Sequence, residues 1–276
     1  MIETIVRRWL RIPYPLHVRY VRRPRNARAT ILFIHGIGNT GDAWQDVIDM
    51  LPKDIKVVSI DLLGFGDSPA PSWALYNAKT QARSVLATYL KLRIVSPVII
   101  VGHSMGALVA IEVAKRYPLL VSSMILCSPP LYDAMNIKSA KRIKSDRVLK
   151  RLFASVQNHP EEFMKISAIA MKYKLVNKSF NVTKDNVNSY MAALESMIIN
   201  QTSLSDAEKI SVPTTIIRGT LDPFVVGSNL KKLVKTNKNI HLKTIVPGHE
   251  IKGRYVKPVL KVIQDHLGTQ EGSNKG

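Results

Sequence analysis

The 276-residue sequence predicts an α/β protein with a mostly parallel sheet, helices on both of its faces, and one helical insertion. Three observations lead there. Short β-branched, apolar runs alternate with longer stretches of helical period, the signature of strands joined by covering helices. The strand signal disappears between Pro130 and Pro213, then resumes with the same alternation. Finally, 46% of the residues are hydrophobic, enough at this length to bury a full core in one large domain or one domain with an insertion.

Taken in order, strands are expected at residues 29–34, 56–60, 97–101, 121–127, 212–217 and 241–246. These runs are rich in apolar residues, as suits parallel strands covered on both faces. Helices are expected at 43–51, 76–92, 105–117, 226–236 and 251–267, the first introduced by Asn39-Thr40-Gly41-Asp42, which reads as a turn and N-cap. Within 131–209, Met164, Ile166, Ile169 and Met171, then Met191, Leu194, Met197 and Ile198, form apolar stripes amid Lys and Asn. The expected organisation is core at 1–130, a helical insertion at 131–209, core again at 210–268, and a disordered tail at 269–276.

Charge and cysteine content narrow the functional classes. Forty Lys and Arg face twenty Asp and Glu, a net charge of +20. Such a surface suits nucleic acid, anionic lipid, or merely a basic proteome. RRM, KH and zinc-finger spacings are absent, and the aromatic residues are not interleaved with the basic ones, so no nucleic-acid partner is expected. No signal-peptide core opens the sequence and no apolar run approaches the roughly 20 residues of a membrane span. The expectation is an unexported, cytoplasmic protein. Near the N-terminus Ile2, Ile5, Val6, Trp9 and Leu10 follow helical spacing, with Arg7, Arg8 and Arg11 largely off that stripe. Together with Lys138, Lys141, Arg142, Lys144, Lys150 and Arg151 they leave two readings: a helix packed on the core beside solvated lysines, or peripheral contact with an anionic membrane. Cys127, the single cysteine, closes an apolar strand and reads as a buried, inert thiol. His17, His159, His241 and His266 lack metal-ligand spacing, so no metal site is expected.

Two motifs compete to define the chemistry. The stretch ILFIHGIGNTG places Gly36, Gly38 and Gly41 in G-x-G-x-x-G order after a strand, and Asp61 closes a later strand, as in a dinucleotide fingerprint. That fingerprint requires a helix starting inside the glycines, whereas here a turn and N-cap follow them. The second motif is Gly102-His103-Ser104-Met105-Gly106, G-x-S-x-G between a strand and a helix. Glycines flank the serine there because the sharp turn that raises a nucleophile above the sheet leaves no room for side chains. Asp222 and His249 each lie just past a later strand, on the sheet edge that carries Ser104. A serine needs a base to take its proton and an acid to orient that base. His103 reads as a neighbour shaping the pocket or, less favoured, a second base, and Asp133 is a rival acid after an earlier strand.

With these residues in view, the chain resembles the α/β-hydrolase family over nearly its whole length. The matching positions are His35-Gly36, the DLLGFGDS turn from Asp61 to Ser68, Gly102 to Gly106, Gly219 to Asp222, and Pro247 to His249. The resemblance implies that Ser104 is the nucleophile, Asp222 the acid and His249 the base. It implies also that backbone N–H groups of Ile37 and Met105 form the oxyanion hole, and that 131–209 is a helical cap. His35 would then help fix the oxyanion loop, and Asp61 and Asp67 would hydrogen-bond backbone in their turn. The implied reaction uses no cofactor and acts on a small carboxylic ester. Relatives with such a cap also cleave a carbon–carbon bond in vinylogous diketones, or open lactones or amides, and a non-catalytic binding protein on this fold is the remaining alternative.

Overall fold

The computed structural model describes residues 7, 9–10, 12–132, 154, 158–172, 176–180 and 182–273. Seven strands form one sheet in the order β1-β3-β2-β4-β5-β6-β7. Six of them, β2 (Ala29–Ile34), β3 (Ile55–Ile60), β4 (Val98–His103), β5 (Val121–Cys127), β6 (Thr214–Gly219) and β7 (Ile240–Ile245), run parallel. These are the six expected strands, with bounds shifted by up to two residues. The seventh, β1 (Val18–Arg22), pairs antiparallel with β3 at the sheet edge. Its sequence VRYVR is short, charged and only half-buried, so it carries none of the apolar signal that marks the central strands.

Side chains alternate across each strand and supply two cores. One face presents Leu32, Ile34, Val58, Ile60 and Ile100 to a cluster that includes Val85 of α2 (Ala78–Lys91) and Leu108 and Ile111 of α3 (Met105–Arg116). The other presents Ile31, Phe33, Val57, Ile99, Val101 and Ile217 to Trp44, to Val47 of α1 (Gln45–Ile48) and to Val259 and Ile263 of the last helix. The helix expected at 43–51 is a tight 3₁₀ turn, Gly41–Trp44, running into the short α1, with Thr40 accepting from the Asp42 amide. Helix α2 is capped by Asn77, whose side chain accepts from the Thr80 amide at 2.9 Å. Between β5 and β6 lie α4 (Pro160–Lys172), α5 (Val187–Ala193), a π-helical turn Leu194–Ile199 and α6 (Ser203–Ala207). Helix α7 (Gly227–Thr236) joins β6 to β7, and α8 (Val256–Ser273) ends the chain. Residues 269–273, expected in a tail, thus continue a helix in which the Thr269 hydroxyl donates to the His266 carbonyl at 2.9 Å. Residues 274–276 lie outside the described part. No helix among the described residues is long and apolar enough to cross a membrane.

One buried ion pair ties the sheet edge to two loops. Asp61, fully buried at the end of β3, accepts the amides of Gly41 at 2.8 Å and Asp67 at 3.0 Å, and the Arg19 guanidinium of β1 lies on both its oxygens. Burial resists the charge on Asp61, but Arg19 and the two amides outweigh it and hold the carboxyl below its ordinary pKa. The acid suggestive of ribose binding is therefore a clamp on the glycine loop. Asp67 uses its carboxylate on Arg19 at 2.8 Å and not on backbone.

Asp61→Asn is expected to cost about 3 kcal/mol at pH 7, since it leaves a guanidinium without its buried partner. Because the folded pKa lies below the ordinary 3.8, this contribution is complete above that value and is lost as pH falls through the folded one. Urea midpoints of the two proteins should differ at pH 7 and converge in acid; equal midpoints at pH 7 would refute the clamp.

Candidate active site

Strand β4 delivers Ser104 to the carboxyl edge of the sheet in a strained conformation. Its φ is +50° and ψ −118°, a region costly for any residue with a Cβ. The turn closes because its flanks are bare: a Cβ on Gly102 would lie 2.6 Å from the Gly106 carbonyl oxygen, and one on Gly106 would strike the carbonyls of Ile34 and His35. The Ser104 amide donates to the Cys127 carbonyl at 2.9 Å, anchoring the turn to β5.

The loops after β6 and β7 bring Asp222 and His249 to this serine. The Thr220 amide donates to Ile245, which lashes the two loops together at their base. His249 Nδ1 donates to Asp222 Oδ2 at 2.9 Å, and its Nε2 accepts from the Ser104 hydroxyl at 3.0 Å. Asp222 Oδ1 accepts the Phe224 amide at 2.9 Å. Burial opposes ionisation of Asp222, but the hydrogen bond and charge of His249, the Ser128 hydroxyl and the Phe224 amide overcome it and lower the pKa. An ionised Asp222 fixes the imidazole tautomer with the lone pair of Nε2 aimed at the serine proton.

Other histidines have structural tasks. His103 Nε2 donates to the His249 carbonyl at 2.8 Å, and burial together with the neighbouring His249 pushes its pKa down to about 3. It is thus a neutral brace for the His249 loop, in line with the favoured reading. His35 accepts from the Leu62 amide at Nε2 and donates from Nδ1 to Gly36, joining the β2 and β3 loops. His266 bridges Ser123 and Thr215 at 2.8 Å each. Ligand atoms of His17, Asp61 and Asp67 form the one cluster of metal-ligand type among the described residues, and the Arg19 guanidinium already lies on both acids. Cys127 is fully buried, which raises its thiol pKa.

The glycines after β2 now have individual reasons. Gly36 passes so close that a Cβ would sit 3.2 Å from that of Ser104, and Gly38, at φ +74°, faces the ring of Phe180. This close passage sets Ile37 in the wall of a cavity of about 250 Å³ that opens over Ser104 and His249. Most of its lining is apolar, including Phe163, Phe180, Leu194 and Ile198 from between β5 and β6 and Phe224 beyond β6. The Met105 side chain is fully buried, and its amide belongs to the first turn of α3, where N–H groups have no intrahelical acceptor.

Asp133, the rival acid, lies outside the described residues, as do all six basic residues singled out between 138 and 151. Sequence reasoning missed Phe224, whose ring lies edge-on 4.9 Å from His249, and Ser128 with Tyr255, paired at 3.0 Å beneath Asp222. The position of Ser128 just after a strand was a faint signal; Tyr255, 127 residues away from it, had none.

A serine on a strained strand-to-helix turn, a histidine and a carboxylate from later loops, and a mostly parallel sheet beneath them define an α/β-hydrolase. The chain belongs to the serine aminopeptidase S33 family, whose model matches residues 25–249. It is similar to human "Monoacylglycerol lipase ABHD6", 25% identical over 258 residues, 88% of this chain and 76% of that one. It is also similar to "Probable lysophospholipase BODYGUARD 4" of Arabidopsis thaliana, 34% identical over 106 residues; the match takes in 38% of this chain and 25% of the plant protein. Among solved structures, an esterase from Exiguobacterium antarcticum superimposes with a TM-score of 0.75 at 15% identity, covering 93% of this chain and 99% of that one, a likeness of fold.

His103→Phe retains a ring of similar size but leaves the His249 carbonyl without its donor. About a tenfold fall in kcat is expected, from an unpaired buried carbonyl and a looser His249 loop. Steady-state kinetics on a folded variant check this; an unchanged kcat would remove the bracing role.

Proposed function

We propose that the protein is a serine hydrolase of carboxylic esters working through an acyl-enzyme. The observation that carries this reading is the Ser104–His249–Asp222 hydrogen-bonded chain at the floor of an apolar cavity. Ser104 attacks the ester carbonyl as His249 takes its proton, and Asp222 stabilises the imidazolium. The amides of Ile37 and Met105 receive the oxyanion, since the first lies on the close loop at Gly36 and the second at the open start of α3. His249 then protonates the departing alcohol, and water releases the acid by the same steps in reverse. No cofactor takes part. Residues 131–209 act as the cap, whose described portion supplies apolar walls suited to an acyl chain. The relatives' names, monoacylglycerol lipase and probable lysophospholipase, belong to the same ester chemistry.

A fluorophosphonate probe should label Ser104 alone. Ser104→Ala should abolish labelling and lower kcat on p-nitrophenyl esters by roughly 10⁶. Asp222→Asn should keep the fold and cost about 10⁴. Labelling elsewhere, or full activity in either variant, would refute the assignment.

The reading extends to peripheral contact with anionic lipid. Trp9 is 86% exposed and Leu10 58% exposed, so neither packs on the core, and the net charge of +20 favours an acidic surface. Ile2, Ile5, Val6, Arg8 and Arg11 of the same stretch lie outside the described residues. Cosedimentation should favour anionic over neutral vesicles and weaken at high salt; binding indifferent to salt and lipid charge would remove this part of the reading.

A further inference from the structure

Ser128, the residue after β5, has φ +50°, as Ser104 does after the neighbouring β4. That region is costly for a residue with a Cβ, and Pro129 behind it favours extended backbone at this position. Glycine would adopt it freely. The Ser128 amide donates to the Ile217 carbonyl at 2.8 Å and so pins the conformation to β6. What the strain secures is the place of the hydroxyl. Ser128 is fully buried, and its Oγ lies 3.0 Å from the Tyr255 hydroxyl and is hydrogen-bonded to the Asp222 carboxyl. Tyr255 donates its own proton to the Ile217 carbonyl at 3.0 Å. The Ser128 proton thus faces two acceptors, a neutral phenol and a carboxylate, and the charged one makes the stronger bond. The Asp222 side chain, with no exposed surface, receives donors from His249, the Phe224 amide and Ser128. Phe224 belongs to the same loop as Asp222, and His249 to the loop that Asp222 orients. Of these three, Ser128 is the one that refers the carboxylate to the sheet.

We propose that Ser128 is a positioning residue for catalysis: its strained backbone holds a hydroxyl that fixes the Asp222 carboxylate relative to the sheet and, through it, the imidazole of His249. This rests on the reading of Asp222 and His249 as acid and base. Strain of this kind persists at active sites where it serves preorganisation. Ser128 lies beneath Asp222 and not in the cavity wall, so its hydroxyl bears on the reaction and not on substrate binding.

The test measures kcat and KM on p-nitrophenyl butyrate, with melting temperatures, for wild type, Ser128→Ala, Ser128→Gly, Asp222→Ala and the double variant Ser128→Gly with Asp222→Ala. Both single replacements at Ser128 remove the hydroxyl, but glycine also relieves the backbone, so Ser128→Gly should melt above Ser128→Ala. Each should lower kcat about tenfold at unchanged KM. On the Asp222→Ala background Ser128→Gly should add nothing, because the group it acts through is gone. Were the serine purely structural, the better-folded glycine variant would keep wild-type kcat. That result overturns the proposal, as does a loss that appears in KM, or the same loss of kcat on the Asp222→Ala background. In each of those outcomes the effect of Asp222→Ala stands and the triad reading survives. Full activity of Asp222→Ala, or a wild type inactive on this ester, overturns the reading of the site itself, and this proposal with it.

Discussion

The backbone of Ser104 is the constraint on which the site depends. Holding a residue with a Cβ at φ +50° requires bare backbone on both sides and a neighbouring strand to grip it. Gly102, Gly106 and the bond from Ser104 to Cys127 meet those conditions only because β4 lies between β2 and β5. From this one turn the rest follows. The serine stands above the sheet edge, the β2 loop must be free of side chains to pass it at Gly36, and among the described residues the loops after β6 and β7 bring an acid and an imidazole to it. Strain at the serine is maintained by the packing of α3, whose Gly106 lies against the β2 carbonyls.

Two buried carboxylates show how burial is offset differently for different ends. Asp61 meets a full cation and two amides, an arrangement that locks the antiparallel edge to the glycine loop and offers nothing to a substrate. Asp222 meets an imidazole, a hydroxyl and one amide, so its charge is stabilised while its partner keeps a free lone pair for the serine proton. Both acids end or follow strands at the same sheet edge, and by type alone they are equivalent. The difference is the partner: a guanidinium cannot exchange protons near neutrality, whereas an imidazole can.

The α/β class, the six parallel strands and the helices between them were legible because strand and helix periods are local properties, readable in windows of a dozen residues. The turn at Ser104 was legible for a similar reason, since its glycines are adjacent in sequence. Strand β1 was not, because an edge strand that reads VRYVR lacks the apolar run of its neighbours. Nor was the end of α8, where glycines and polar residues suggest a tail but the helix continues.

By itself, then, the sequence determined the layers of the fold and the residue types at each strand end, since these depend on patterns within a few residues. Only the tertiary structure decided what those residues meet. It assigned Asp61 to Arg19, His103 to the His249 carbonyl, and Phe224 and Ser128 to Asp222. These contacts join positions up to 146 apart, and the strand order that brings them together comes from packing the whole sheet, which no local pattern encodes.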